Sequence, residues 1–213
     1  PAPARRAVAS ARLVGIRDVT WGGLRSARLV AAGTATRIVL TPIVMGLVLV
    51  GDGGDETGGA AIVGTALFCV AAATDWIDGR LARRWDVTSK FGSFLDTTAD
   101  KLLVSGVLIA LLAAERASPW IVALIIGREL ILMGLRGVIA SEGEVMAPSM
   151  LGRLKTSIQF LAIALAIWRP GEPVGGLYVD EWVMLAAAVI TVWSAVDYLV
   201  RALPALMRDE APT

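Results

Sequence analysis

Four aspartates have the residue type and spacing of a metal-dependent catalytic site: Asp75, Asp78, Asp96 and Asp100. Residues three or four positions apart lie on the same face of a helix, so each neighbouring pair would project from one side. A short basic segment joins the two pairs, and such a turn would bring two helices back as antiparallel neighbours. The spacing therefore predicts that four carboxylates converge in one place.

The composition restricts what this carboxylate cluster can bind. The chain has no histidine and one cysteine, which excludes Cys/His zinc sites and a histidine general base. Four carboxylates in a poorly solvated pocket repel one another unless cations compensate them. Oxygen ligands favour a hard divalent ion, Mg²⁺ or Mn²⁺, with Ca²⁺ as an alternative. Two such ions would balance the four charges.

Small and basic residues lie beside the four aspartates. Gly79 and Gly92 carry no side chain and Ala82 a small one, so backbone or ligand could approach closely there. The guanidinium of Arg83 could bind a phosphate through two hydrogen bonds. These residues favour a phosphorylated ligand next to the predicted metal site.

The composition of the whole chain is typical of a membrane protein. Of the 213 residues, 56% are apolar, and the mean hydropathy is +0.68. The net charge of +1 gives no support for nucleic-acid binding. We expect an all-α polytopic fold with six transmembrane helices, because six apolar stretches occur. They cover residues 34–50, 58–75, 91–114, 118–139, 154–168 and 182–203.

The charges are distributed unequally between the two predicted sides of the membrane. With alternating loops, all basic residues except Arg116 and Arg169 fall on the side of the two termini, which predicts that both termini are cytoplasmic. We expect residues 1–33 to form a basic segment with a juxtamembrane helix at the membrane surface. Residues 34–213 would form the transmembrane domain.

Several charged residues enter the apolar stretches from the predicted cytoplasmic end. Arginines such as Arg37 and Arg201 can extend toward the membrane surface, but short aspartates cannot. A charge at membrane depth is costly, so these residues predict a polar pocket open to the cytoplasm.

The segment from Asp75 to Asp100 resembles the signature of the CDP-alcohol phosphotransferase family. That signature is D-x₂-D-G-x₂-A-R-x₈-G-x₃-D-x₃-D, and every fixed residue matches. The resemblance extends over nearly the whole chain, because the family places this motif across the second and third of its transmembrane helices.

The resemblance implies transfer of a substituted phosphate from a CDP-linked donor to an alcohol, with release of CMP. It implies that Asp75, Asp78, Asp96 and Asp100 hold two divalent ions, Mg²⁺ or Mn²⁺, and that Asp100 is the catalytic base. It also implies a set of CDP-binding residues, namely Asp75, Asp78, Gly79, Ala82, Arg83 and Gly92.

Further strings resemble the branch of the family that makes phosphatidylglycerol phosphate, among them Ala99-Asp100-Lys101 and Gly152-Arg153-Leu154-Lys155-Thr156. This resemblance implies CDP-diacylglycerol as donor, glycerol 3-phosphate as acceptor, membrane lipids as surroundings and a homodimer in the bacterial cytoplasmic membrane. Phosphatidylinositol phosphate synthase is an alternative within the family. A divalent-cation transporter is the alternative from another class, and it would need acids along the outer halves of the helices.

A phosphorylated acceptor requires a second anion site. Basic residues within and before the fourth and fifth predicted helices are candidates for it: Arg128, Arg136, Arg153 and Lys155. For Arg128 an alternative is a purely structural ion pair with Glu129. The cations would suit inositol phosphate as well as glycerol 3-phosphate, so they do not distinguish the two acceptors.

Overall fold

The structure is a computed structural model of the single chain. It describes the backbone of residues 21–52, 58–85, 90–141 and 149–206. Side chains are described over the same ranges, except at 21–31, 52, 75–85, 90–93 and 205–206. Residues 1–20 and the end of the chain lie outside this description.

The described part of the chain is all-α and consists of six helices, as the hydropathy pattern predicts. The β-structure recorded there is an isolated bridge between Val174 and Leu177. Each helix covers one of the six apolar stretches. The helices are α1 (Trp21–Asp52), α2 (Gly59–Trp85), α3 (Lys90–Ala113), α4 (Pro119–Ser141), α5 (Met150–Trp168) and α6 (Val179–Leu206).

Local sequence signals account for several helix ends. Ser149 precedes α5, and its hydroxyl accepts a hydrogen bond from the Gly152 amide at 3.1 Å, which caps the first turn. Pro119 begins α4, where its missing N–H and fixed φ suit the first helical position. Arg169 ends α5 in the left-handed region at φ 45° and donates its amide to the Leu165 carbonyl.

Two helices extend well beyond their apolar stretches. α1 begins at Trp21, so the boundary predicted between residues 33 and 34 falls inside a continuous helix. The position of residues 21–33 at a membrane surface stays a prediction. α2 continues past Asp75 and Asp78, the first acidic pair of the motif, to Trp85. Hydropathy identifies apolar segments and not helix formation itself. It therefore predicts the apolar centre of α1 and α2 but not the ends that carry charged residues.

Packing brings α1 and α3 together next to the acidic motif. α1 has extensive contacts with both α2 and α3, α5 packs mainly on α6, and α2 also contacts α5. A Cβ atom at Gly106 of α3 would lie 2.9 Å from Cγ2 of Thr41 and 3.0 Å from Sδ of Met45, both on α1. Gly106 therefore allows a close approach of these two helices that a larger residue would prevent.

We call the end of the bundle near Trp85 and Lys90 the motif end, and the end near Ala113 and Pro119 the opposite end. Between the acidic motif and the opposite end, the core is apolar. Its buried side chains include Val44 and Val48 of α1, Val107 and Leu111 of α3 and Ile163 and Ile167 of α5. α4 and α6 share a smaller apolar cluster around Leu132 and Tyr198.

The outer surface of the bundle suits a lipid environment. Large apolar side chains face outward, including Val39, Ile131 and Trp193, which are 60%, 65% and 67% exposed. In the described residues, three segments are long and apolar enough to cross a membrane by length and composition: Ala32–Gly51, Met150–Trp168 and Val179–Pro204. The chain is thus a helical protein with the composition of a membrane-embedded domain.

Candidate functional site

The acidic motif spans the end of α2 and the first half of α3. Asp75 and Asp78 lie in α2, and Asp96 and Asp100 lie in α3, so all four predicted metal ligands have helical backbone. The side chains of Asp75 and Asp78 lie outside the described part of the chain. The convergence of all four carboxylates therefore stays a prediction.

The predicted CDP-binding residues lie in the same two helices. Gly79, Ala82 and Arg83 follow Asp78 in α2, and Gly92 lies in the first turn of α3. Their side-chain surroundings are outside the described residues. Their role as CDP contacts stays a prediction.

The first helix contributes a partner for Asp96 that the sequence did not predict. Nη2 of Arg37 contacts Oδ1 of Asp96 at 2.5 Å, and the hydroxyl of Thr34 donates to the same oxygen at 3.3 Å. Arg37 is fully buried, so it does not extend toward the membrane surface as one interpretation of the sequence allowed. A buried guanidinium needs a counter-charge, and Asp96 supplies it.

Asp100 lies next to a cluster of buried and partly buried charges centred on Glu129 of α4. Lys101 donates to Oε2 of Glu129, and its Nζ is 3.7 Å from Oδ2 of Asp100. Lys155 of α5 donates to the other oxygen of Glu129, and Arg128 donates to that oxygen at 2.9 Å. We call Lys101, Arg128, Glu129 and Lys155 the Glu129 cluster. Three cations share one carboxylate, which leaves the cluster with excess positive charge.

Two of the four acceptor-phosphate candidates belong to this cluster. Lys155 and Arg128 meet at Glu129, and Nη2 of Arg128 also donates to the Ser194 hydroxyl of α6 at 2.8 Å. Arg128 therefore has the structural partner that the sequence offered as an alternative. The contact with Glu129 does not exclude a ligand, because a guanidinium has five N–H donors.

The other two candidates make different contacts. The guanidinium of Arg136 lies 5.2 Å from the centre of the Tyr198 ring, and the side chain is exposed. Arg153 is also exposed and contacts Sδ of Met150 at 2.8 Å. The structure thus brings together Arg128 and Lys155 and gives Arg136 and Arg153 separate surroundings.

From the sequence, no role in binding or catalysis was predicted for Thr34, Arg37, Lys101 or Glu129, although the last three are among the charges that predict the polar pocket. A signal was present, since Arg37 and Glu129 are charged residues within apolar segments, and such charges need a partner at membrane depth. What the sequence lacks is the identity of that partner. It depends on which helices are neighbours, as Arg37 and Asp96 on α1 and α3 illustrate.

The donor atoms of the motif fit a hard divalent ion. All four acids offer carboxylate oxygen, and Asp96 and Asp100 lie one helical turn apart in a half-buried position. Among the side chains that the structure describes, no three acidic, histidine or cysteine residues gather into a metal-binding group. The side chains of Asp75 and Asp78, the two acids on α2, are not among those described.

Comparison with known proteins agrees with the motif. The model of the CDP-alcohol phosphatidyltransferase family matches residues 30–193, which include α2 and α3 in full. A relative from Bacillus subtilis (strain 168) is 40% identical over 171 residues, covering 75% of this chain and 89% of its own length. It is named CDP-diacylglycerol--glycerol-3-phosphate 3-phosphatidyltransferase.

Two further relatives have the same name. The protein of Shigella flexneri serotype 5b (strain 8401) is 43% identical over 139 residues, 62% of this chain and 74% of its own length. That of Salmonella choleraesuis (strain SC-B67) is 41% identical over 146 residues, 66% of this chain and 78% of its own length. The matched segment contains the complete acidic motif, and the chain belongs to the CDP-alcohol phosphatidyltransferase family.

Proposed function

We propose that the protein transfers the phosphatidyl group of CDP-diacylglycerol to sn-glycerol 3-phosphate, giving phosphatidylglycerol phosphate and CMP. The observation that carries this proposal is the contact between Lys101 and Asp100, at 3.7 Å. Through this contact, Asp100, which can take a proton from an alcohol, lies next to the Glu129 cluster, whose cations can hold a phosphate. An alcohol that carries its own phosphate fits both. The three relatives named for this reaction support the same acceptor.

The four acids of the motif would hold two divalent ions, Mg²⁺ or Mn²⁺. When bound, these ions polarise the pyrophosphate of the donor and stabilise the charge on the leaving CMP. Arg37 and Thr34 orient the Asp96 carboxylate from α1, as residues behind a metal ligand commonly do. Gly79, Ala82, Arg83 and Gly92 would contact the CDP portion of the donor.

In the reaction, Asp100 would accept the proton of the acceptor hydroxyl. The hydroxyl oxygen attacks the phosphorus that bears the diacylglycerol. The bond from this phosphorus to the CMP oxygen breaks, and CMP leaves with the electron pair. Lys155, Arg128 and Lys101 would hold the acceptor phosphate and so fix the distance between the hydroxyl and the phosphorus. Arg136 and Arg153 remain candidates for guiding the acceptor from the surface.

We further propose that all six helices span the membrane, with both termini and the motif end on the cytoplasmic side. The asymmetric distribution of Lys and Arg supports this orientation. The donor is a membrane lipid and the acceptor is a water-soluble anion, so a site at one membrane face reaches both. A homodimer stays a prediction.

The alternatives differ in testable ways. Inositol phosphate would satisfy the Glu129 cluster as well as glycerol 3-phosphate does, so phosphatidylinositol phosphate synthase is the competing activity within the family. A divalent-cation transporter would need polar groups through the bundle. The apolar core between the motif and the opposite end, with Val107, Leu111 and Ile167, argues against it in the described residues.

The test is CMP release from CDP-diacylglycerol by the purified full-length chain with Mg²⁺. Glycerol 3-phosphate, inositol phosphate, inositol and serine are supplied in parallel. We expect CMP release with glycerol 3-phosphate and little with the others, and omission of Mg²⁺ should abolish it. Preferential use of inositol phosphate would overturn the acceptor assignment. Absence of CMP release with every acceptor would overturn the proposed activity.

The same assay in sealed membrane vesicles tests the orientation. Glycerol 3-phosphate does not cross a lipid bilayer freely because it is charged. Inverted vesicles, which expose the cytoplasmic face, should use glycerol 3-phosphate added outside, and right-side-out vesicles should use it only after detergent is added. The reverse pattern would contradict a cytoplasmic site.

A further inference from the structure

Glu129 is a buried acid with no role in the chemistry described above. It is 5% exposed and lies in the middle of α4. Its two oxygens accept hydrogen bonds from cations on three helices: Lys101 of α3, Arg128 of α4 and Lys155 of α5. A carboxylate at this depth is costly to bury and is retained where it compensates other charges.

Lys101 is shared unequally between two carboxylates. It donates a hydrogen bond to Glu129, while its distance to Oδ2 of Asp100 is 3.7 Å, longer than a hydrogen bond. Asp100 is the neighbour of Lys101 in sequence, so the ammonium group would have a second carboxylate within reach if Glu129 were absent. The position of Lys101 is therefore set by competition between Glu129 and Asp100.

The same carboxylate holds the ammonium groups of Lys101 and Lys155 close together. Two like charges repel in a medium of low dielectric constant, and an acid between them reduces that repulsion. Lys155 is 4% exposed at its side chain, so it has little access to water as an alternative partner. Without Glu129, both lysines would move apart.

We propose that Glu129 is a positioning residue for phosphatidyl transfer, which draws Lys101 away from Asp100 and holds Lys101 and Lys155 side by side for the acceptor phosphate. This inference rests on the proposed function, because it takes Asp100 as the group that meets the acceptor hydroxyl. The competing explanation is that Glu129 only stabilises the bundle as a buried ion pair. The two explanations differ in what removal of Lys101 does to a chain that lacks Glu129.

The experiment compares Glu129→Gln, Lys101→Met and the double variant with the wild-type chain. For each full-length protein, kcat and the KM values of glycerol 3-phosphate and CDP-diacylglycerol are measured by CMP release, and the unfolding midpoint is measured in detergent. We expect Glu129→Gln to lower kcat/KM for the acceptor at least tenfold and to change the KM of the donor less than about twofold. The double variant should have a several-fold higher kcat than Glu129→Gln, because Lys101 is no longer there to bind Asp100, while its acceptor KM stays raised because one of the cations that hold the acceptor phosphate is lost.

Asp197→Asn is the matched control. It also removes one carboxylate from an ion pair, with Arg201 at 2.8 Å, but that pair is on α6 and partly exposed. Its kinetic constants should stay within about twofold of the wild-type values, since exposed pairs contribute little. If Glu129→Gln does not fold, Glu129→Asp takes its place, because it retains the charge but shortens the side chain by one methylene. We then expect a decrease in kcat/KM for the acceptor that is smaller than the tenfold given for Glu129→Gln.

The outcomes distinguish failure of the positioning role of Glu129 from failure of the proposed activity. If the wild-type chain uses glycerol 3-phosphate but the double variant has no higher kcat than Glu129→Gln, and donor and acceptor constants change together, Glu129 has a structural role and the inference is wrong. If the wild-type chain releases no CMP with glycerol 3-phosphate, the proposed function is wrong, and the positioning role is wrong with it.

Discussion

At the scale of single residues, the site consists of charged side chains within apolar helices, where placing a charge costs free energy. The sequence predicted Asp96 and Asp100 as functional residues, because aspartates cannot reach the membrane surface from within an apolar stretch. It did not predict their partners, Arg37 for Asp96 and Lys101 for Asp100. The sequence shows which residues are charged and how far they lie inside an apolar stretch. Which of these charges form ion pairs depends on how the helices pack.

Lys155 and Arg153 provide a test of the acceptor site at this scale. Both were predicted to bind the acceptor phosphate, but Lys155 is buried against Glu129 and Arg153 is exposed. We expect Lys155→Met to raise the KM of glycerol 3-phosphate by on the order of ten- to a hundredfold, because a hydrogen bond to a charged group contributes about 1.5–3 kcal/mol. The KM of CDP-diacylglycerol should change little.

Arg153→Met is the control for this substitution, because it also replaces one cation by methionine. Its effect on the acceptor KM should be at most a few-fold. In Lys155→Met, Glu129 still has Lys101 and Arg128 as partners, so the bundle should fold. Equal effects of the two substitutions would show that burial beside Glu129 does not identify the acceptor site.

At the scale of helices, the sequence predicted the number and the centres of the elements but not their full extent. All six apolar stretches are helical, while α1 begins earlier and α2 ends later than hydropathy indicates. The added segments carry more charge than the stretches themselves, since residues 21–33 include two arginines and residues 76–85 of α2 include Asp78 and three arginines. Helix formation there depends on backbone hydrogen bonding, for which the apolar pattern holds no information.

Gly106 tests whether the contact between α1 and α3 supports the site. Gly106→Val would place side-chain atoms against Thr41 and Met45, next to the turn that carries Arg37. We expect it to destabilise the protein by about 1–3 kcal/mol, as overpacking commonly does. Because the helices must separate, Arg37 should also lose its contact with Asp96. The measurement is the unfolding midpoint in detergent, together with CMP release.

Gly134→Val on α4 is the matched control, since a Cβ atom there has no neighbour within 4 Å. It should leave both the unfolding midpoint and the activity close to those of the wild-type chain. If Gly106→Val were as stable and as active as Gly134→Val, close packing of α1 on α3 would not be required for the site.

At the scale of the whole molecule, polarity changes along the length of the bundle. Arg37, Glu129 and Lys155 are buried toward the motif end and in the middle, and an apolar core fills most of the region toward the opposite end, where Asp180 is buried next to Arg169. Hydropathy and charge distribution predicted this gradient, because both follow position along each helix. The lateral order of the helices was not predicted, since the apolar stretches resemble one another and do not specify which of them pack together. For that reason the Glu129 cluster, built from α3, α4 and α5, appears only in the structure.

The central claim is that the four aspartates of the motif bind divalent ions for phosphatidyl transfer. The most direct measurement is the number of Mn²⁺ ions bound per chain in the presence of CDP, by electron paramagnetic resonance of the purified protein. It is compared for the wild type and for Asp75→Asn, Asp78→Asn, Asp96→Asn and Asp100→Asn. We predict two bound ions in the wild-type chain, and loss or at least tenfold weakening of binding in each variant. Mn²⁺ binding that is unchanged by these substitutions would contradict the account.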